Sequence, residues 1–201
     1  MVQNFKLPSI NGKPPGRVYV SFSAGIDTTT TESLIATMGQ LATLHIPEVY
    51  LLLSTGGGQV REGIALYNTL KAMPFKLITH NVSSVDSIGN AVFLAGQPRY
   101  AVPHSTFMFH GVGSTARADT RLEEKLLRER LDAIVADQLR IGAVIADRTN
   151  LKAKDVEGLF REAQTKDTAY AISHGIIDEV REVNLPDGVP LITLTFQRQS
   201  G

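Results

Sequence analysis

The sequence predicts an α/β domain in which strands and helices alternate around a sheet covered on both faces. Residues 17–22 alternate with β-branched and aromatic side chains, residues 48–54 are almost continuously apolar, and residues 75–81 form a third candidate strand. Apolar residues at helical spacing follow the first two strands, at 27–44 and 60–73. Alternation of this kind is typical of βαβ units and therefore of an α/β fold.

The rest of the chain continues the alternation with shorter elements. The pattern predicts a buried helix at 87–96, then strands at 99–102 and 105–110, and finally the helices 151–160 and 168–175 and the strands 176–180 and 191–197. We find no internal repeat and no linker within 17–183. We therefore divide the chain into an N-terminal arm (1–16) rich in Pro and Gly, one domain (17–183), and a C-terminal loop and strand (184–201).

Composition excludes several classes of function. With 201 residues, 43% of them hydrophobic, the chain can bury one sizeable core. Basic and acidic residues balance at 20 each, so no nucleic-acid partner is expected. The absence of cysteine excludes disulfides, thiol nucleophiles and cysteine-bound metals. The N-terminus lacks the apolar run of a signal peptide, and no apolar stretch reaches the ~20 residues that span a bilayer, so we expect a cytoplasmic protein without membrane contact.

One long amphipathic helix is predicted at 118–148. Apolar residues recur there at steps of mostly three to five, with charges between them: Leu122, Leu126, Leu131, Ile134, Val135, Leu139 and Ile145. The helix is at least about twice the usual ~11–12 residues. Its apolar stripe can form a subunit interface or lie across the sheet of its own domain, and the sequence leaves both open.

The glycine run in "STGGGQV" is the first candidate site. Gly56, Gly57 and Gly58 stand between a buried strand and a helix, where they can turn bare backbone N–H groups toward a phosphate or an oxyanion. Neither the Walker nor the Rossmann glycine spacing is met. A tight turn with close packing explains the run equally well.

A serine and a histidine are the candidate reacting groups. Ser87 follows Ser83 and Ser84 at the start of the predicted helix, where a serine is usually an N-cap but can also be a nucleophile. A nucleophilic serine needs a base, and both His80 and His110 end predicted strands. On chemistry alone these two histidines are equal candidates, whereas His45, His104 and His174 are expected at turns, helix ends or the surface.

Four segments in order resemble the proteolytic subunit of the Clp protease family: "GGQVREGIALYNTL" (57–70), "DSIGNAVFLAG" (86–96), "VPHSTFMFHGV" (102–112) and "AYAISHGIIDEV" (169–180). The resemblance covers about 17–183. It implies a crotonase-like α/β spiral of ββα units with a long protruding handle helix, which corresponds to 118–148. It also implies a homo-oligomer that encloses its sites in a chamber.

The resemblance also implies roles for individual residues. Ser87 matches the nucleophile, with Ile88 in place of the usual Met, and His110 matches the general base. The backbone N–H groups of Gly58 and Ile88 match the oxyanion hole. The implied activity is that of a serine endopeptidase acting on peptides or unfolded proteins, with no metal and no cofactor.

The third triad position departs from the family. Counting back without gaps from Gly175, the position of the usual Asp falls on Ala163. A shift of one residue would let Glu162 orient the imidazole. Asp167 is a second candidate for the third triad residue, although it is expected rather to cap the helix beginning near Thr168. A site with no functional carboxylate is the remaining alternative.

Other departures affect partners and activity. Asp86 replaces a small apolar residue of the family, and we expect it to face solvent rather than His110. "HGV" replaces the family's His-Gln-Pro, so the strand that binds substrate can differ. The N-terminal arm does not resemble the axial loop that engages an AAA+ unfoldase ring, which makes dependence on that partner doubtful. The alternatives to a peptidase are a proteolytically weak or inactive assembly subunit and, less favoured, an acyl-CoA enzyme of the crotonase superfamily.

Overall fold

The structure is a computed structural model that describes Leu7, residues 14–115, Asp119 and residues 121–196. Most of the predicted N-terminal arm therefore lies outside the described residues. The elements in chain order are β1 (Val18–Ser23), α1 (Thr28–Thr43), β2 (Glu48–Thr55), α2 (Val60–Ala72), β3 (Lys76–Asp86), α3 (Gly89–Phe93), β4 (Arg99–Ala101), β5 (Thr106–Met108), α4 (Glu124–Arg148), α5 (Ala153–Glu162), β6 (Thr165–Lys166), α6 (Thr168–Ser173), β7 (Glu179–Val180) and β8 (Leu191–Leu194).

The described strands form one eight-stranded sheet in the order β6-β5-β3-β2-β1-β8, with β4 pairing to β3 and β7. All pairs are parallel except β5 with β6, which is antiparallel. The predicted α/β class is confirmed. The C-terminal strand β8 pairs with β1 along Tyr19 to Phe22, so residues 191–194 complete the sheet of the main domain.

Strand β3 is longer than its sequence pattern predicts, and this places the candidate serine. The expected end was residue 81, but β3 continues to Asp86 because its second half acquires a new neighbour. Thr79–Asn81 pairs with β4, whereas Ser84–Asp86 pairs with β5. The register against β2 also shifts in this region. Ser83 and Ser84 therefore lie within the strand, and the helix that follows is the short α3 rather than 87–96.

Helices pack on the sheet through the faces that the sequence predicts. Asp27 caps α1 with a reciprocal capping box, and Leu34, Met38 and Leu41 of this helix are fully buried. Burial of several such side chains, at about 1.5–3 kcal/mol each, is the main source of stability of this layer. A smaller cluster on the other side of the sheet contains Tyr19, Tyr50, Leu52 and Ile78, against which Tyr100 packs.

Helix α4 leaves most of its apolar stripe uncovered. Only Ile141 and Ile145 are buried in it, near its C-terminal end. Five large apolar side chains on and just before the helix are at least 43% exposed: Leu122, Leu127, Leu131, Val135 and Leu139. Helix α4 therefore packs on the domain mainly through its last turns, next to α3 and α5. The helix begins at Glu124, later than predicted, and residues 116–118 and 120 of the region before it are outside the described part.

No helix in the described part of the chain is both long enough and apolar enough to cross a membrane.

Candidate active site

Ser87 occupies a sharp turn between β3 and α3. Its φ of 58° is left-handed, a conformation that a residue with a side chain adopts at a cost and mostly where the surroundings hold it in place. Its backbone N–H donates to Met108 O at 2.8 Å, which ties the turn to the end of β5. The N-cap position of α3 is Ile88 rather than Ser87. Within the described residues the Ser87 hydroxyl forms no hydrogen bond, so the serine does not act as a cap.

The glycine turn packs directly on this serine. Gly57 has a φ of 83°, and a Cβ at this position would lie 2.6 Å from Ser87 Cβ and 2.8 Å from Asp86 O. Gly58 has a φ of 150°, and a Cβ there would collide with the Ile26 carbonyl group. Both positions therefore require glycine, and the reason at Gly57 is close approach to the serine turn.

Two backbone N–H groups, one in the glycine turn and one in the serine turn, have no acceptor in the described part of the chain. Neighbouring groups are engaged, since Gly57 O accepts from Ile26 N and Gln59 N donates to Ile26 O, both at 2.8 Å. In the described chain, the N–H groups of Gly58 and Ile88 donate to no protein acceptor. Unpaired N–H groups that flank a serine hydroxyl can hold the negative oxygen of a tetrahedral intermediate.

His110 lies two residues beyond the end of β5, whose last residue, Met108, is paired with Asp86. Phe107 and Phe109 are both buried, so the alternation of the strand continues past Met108 and predicts His110 on the side of Met108. Its Nδ1 lies 2.7 Å from Gly111 O. A carbonyl oxygen can only accept, so Nδ1 carries the proton and Nε2 keeps the lone pair that a general base needs. No hydrogen bond joins the Ser87 hydroxyl to His110 in the residues described, and such contacts often tighten only when substrate binds.

The rival base, His80, is placed elsewhere and is structural. It is fully buried, with Nδ1 3.0 Å from the Tyr50 hydroxyl and Nε2 3.0 Å from Arg181 O. Both ring nitrogens are thus occupied. Burial lowers the pKa of His80 to about 4, with a further lowering by the charge of Arg181 that opposes the effect of the Arg181 backbone hydrogen bond.

No hydrogen bond in the described part of the chain joins Glu162, the expected third member of the triad, to His110. Glu162 ends α5 with its side chain 52% exposed, and its carboxylate lies 3.4 Å from Lys166 Nζ. Ala163 is the left-handed C-cap of α5, two residues before the pair that Thr165 forms with Met108. Gly111 N donates to Phe160 O at 3.1 Å, which holds the end of α5 against this loop.

Asp167 has the role that the sequence predicts. It is the N-cap of α6, and its Oδ1 accepts a hydrogen bond from Tyr170 N at 2.8 Å. A capping carboxylate of this kind satisfies one of the unpaired N–H groups of the first turn.

Asp86 was expected to face solvent, but the structure places it half-buried at the end of β3, beside Met108. It precedes Ser87 and pairs with Met108, two residues before His110. Burial raises the pKa of Asp86, and the charge of His110 and the backbone N–H of Met108 oppose that shift. The sequence pattern could not predict this placement, because it depends on the pairing of β3 with β5, two segments about 20 residues apart.

Comparison with known proteins agrees with the geometry. The sequence model described as Clp protease matches residues 16–184. The chain is 28% identical over 153 residues to "ATP-dependent Clp protease proteolytic subunit 2" of Corynebacterium efficiens, covering 70% of this chain and 69% of that protein. It is 30% identical over 152 residues to the protein of the same name in Thermobifida fusca, covering 70% and 68%. The match to the family model spans most of the sequence, and the chain belongs to the Clp protease family.

Proposed function

We propose that this protein is a serine endopeptidase that cleaves peptide bonds through an acyl-enzyme. The Ser87 oxygen attacks the peptide carbonyl carbon while His110 Nε2 accepts the hydroxyl proton. The tetrahedral oxyanion is held by the N–H groups of Gly58 and Ile88. His110 then gives the proton to the leaving amine, and water activated by the same nitrogen hydrolyses the ester and frees Ser87.

The observation that carries the proposal is the conformation of Ser87. Ser87 directly follows a strand, has a left-handed backbone conformation, and has a hydroxyl group that forms no hydrogen bond in the described residues. The nearby N–H groups of Gly58 and Ile88 are also unpaired there. This conformation therefore does not stabilise the fold. A strained strand-to-helix turn is how a nucleophilic serine is exposed in other hydrolases as well. His110 has its lone pair on the nitrogen that is not bound to Gly111, which is the tautomer that this chemistry requires.

The oligomer and its partner belong to the same proposal. The uncovered apolar side chains of α4 support a subunit interface, since isolated large apolar patches are rarely left exposed. We place the sites inside a homo-oligomer in the cytoplasm, with peptides or unfolded protein as substrates. The relatives' names include "ATP-dependent", so an AAA+ unfoldase partner is tested by adding such an ATPase and comparing cleavage of a folded substrate with cleavage of a short peptide.

The test is covalent labelling with a fluorophosphonate probe, followed by peptide mass spectrometry. Wild type should carry the label on Ser87, and Ser87→Ala should lose both label and peptide cleavage while it assembles normally. Peptide cleavage retained by Ser87→Ala would disprove the assignment.

One observation favours a second candidate, a catalytically inactive assembly subunit. Ala163 occupies the position that the family resemblance gives to the triad Asp, and loss of that group costs about 10⁴-fold in a Ser-His-Asp enzyme. This alternative predicts an intact oligomer in which Ser87 takes up no label at any pH, whereas a weak peptidase labels slowly but measurably.

A further inference from the structure

We propose that Asp86 is the carboxylate that assists His110, taking over the electrostatic role that an acid at position 163 would have. This inference rests on the function proposed above. It assigns a positioning role to the residue that precedes the nucleophile, at the end of β3. Position 163, by contrast, lies between α5 and β6.

The sheet register brings the two side chains together. Asp86 and Met108 are paired in the parallel ladder between β3 and β5, so their side chains share one face. The alternate residues on these strands, Val85 and Phe107, are fully buried on the opposite face. Phe109 continues the buried row of Phe107 beyond the end of β5, so the same alternation predicts His110 on the side of Asp86.

The electrostatics of Asp86 agree with that placement. Asp86 is half-buried, and among the charged groups of the described residues His110 is the one that favours its ionised form. Interaction between two titrating groups is reciprocal: if the imidazolium of His110 stabilises the carboxylate of Asp86, the carboxylate equally stabilises the imidazolium. His110 becomes an imidazolium when it accepts the Ser87 proton, so the attraction is greatest at that step.

Two groups thus share what one triad aspartate normally does. Such an aspartate both holds the imidazole in the correct tautomer and stabilises its charged form. Here the Gly111 carbonyl accepts from Nδ1 at 2.7 Å and so fixes the tautomer. A neutral carbonyl group provides little of the charge stabilisation, and Asp86 supplies it.

The other two carboxylates considered for the third triad position, those of Glu162 and Asp167, bind other groups. Glu162 pairs with Lys166, and Asp167 caps α6 through Tyr170 N. Neither carboxylate is hydrogen-bonded to His110 in the described structure.

The experiment measures the rate of fluorophosphonate labelling of Ser87 from pH 5 to 9 in the assembled protein. Asp86→Asn should lower the rate about 10- to 100-fold, because the variant lacks the negative charge that attracts the imidazolium formed in this step. The difference from wild type should narrow as the pH is lowered, because the wild-type carboxyl group, whose pKa burial raises, is then increasingly protonated. A merely structural role would give the same difference at every pH.

Three further variants separate the possible outcomes. Asp187→Asn makes the same chemical change at an exposed loop position and should label like wild type. Asp86→Ser provides a second test if Asp86→Asn does not assemble, with the same expected loss. An unchanged rate and profile in the Asp86 variants, or a large loss in Glu162→Gln instead, would overturn this inference and leave the peptidase assignment standing. Absence of label on wild-type Ser87 would overturn the proposed function itself, and this inference with it.

Discussion

Lowering the pH from 8 to 5 should destabilise this protein through His80, a residue far from the proposed chemistry. Arg181 O can only accept, so His80 Nε2 carries the proton and Nδ1 accepts from the Tyr50 hydroxyl. This neutral tautomer satisfies all three groups. A second proton on Nδ1 would create a positive charge in a buried site, near the charge of Arg181, which is why the pKa of His80 falls to about 4.

The size of the effect follows from that shift. The unfolded histidine titrates near 6.5, so between pH 6.5 and 4 the unfolded state binds more protons than the folded state, and stability falls as the pH is lowered. With pKa values of about 6.5 and 4, the loss at pH 5 is about 2 kcal/mol relative to pH 8, and it approaches ~3 kcal/mol below pH 4. That is a large fraction of the ~5–15 kcal/mol stability of a typical domain.

The assay is urea denaturation at pH 8, 6 and 5, at one fixed protein concentration because assembly also affects stability. His80→Gln cannot titrate, so its loss between pH 8 and 5 should be smaller than that of wild type by about 2 kcal/mol. The comparison cancels the titration of other groups, including Asp86. His104→Gln, at an exposed position, should retain the wild-type pH dependence. Equal losses in wild type and His80→Gln would refute the reasoning.

Three other predictions concern the site and the assembly. Gly57→Ala should lower the free energy of unfolding by about 1–3 kcal/mol and strongly reduce labelling of Ser87, because the added Cβ would lie 2.6 Å from Ser87 Cβ. Gly56→Ala is the matched control in denaturation and labelling, since its added Cβ would have no neighbour within 4 Å. Ala163→Asp should fold, since Asp tolerates a φ of 50° better than Ala, and should raise the labelling rate about tenfold or more; an unchanged rate would show that position 163 does not reach His110. Leu139→Glu, at a side chain 66% exposed, should give smaller particles in analytical ultracentrifugation with an unchanged circular dichroism spectrum, whereas wild-type mass would contradict an interface there.

Elements with a strong local pattern were predictable from the sequence. The first two strand–helix pairs, β1 with α1 and β2 with α2, lie within one or two residues of their expected bounds. The Asp167 cap was also predictable, because a capping side chain bonds to a backbone group only three residues away. The long helix was recognised from its period, although its start at Glu124 was not.

Part of the candidate site was predictable for a different reason. Ser87, His110, Gly58 and Ile88 were assigned by resemblance to a family, and the structure places Ser87 in a strained turn beside the glycines. Periodicity alone favoured a capping role for this serine. It also left His80 and His110 equivalent, because exposure and hydrogen-bond partners, which separate them, come from packing.

The remaining features depend on contacts between distant segments. The extension of β3 to Asp86 exists because β5 offers a second set of backbone partners, and the two-residue strand β6 exists only as a pair with β5. These pairings place Asp86 beside Met108 and bring the segment after α5 to the end of β5. A local sequence pattern specifies which way a side chain points relative to its own backbone, whereas its neighbours across a sheet depend on a register that only the folded chain establishes.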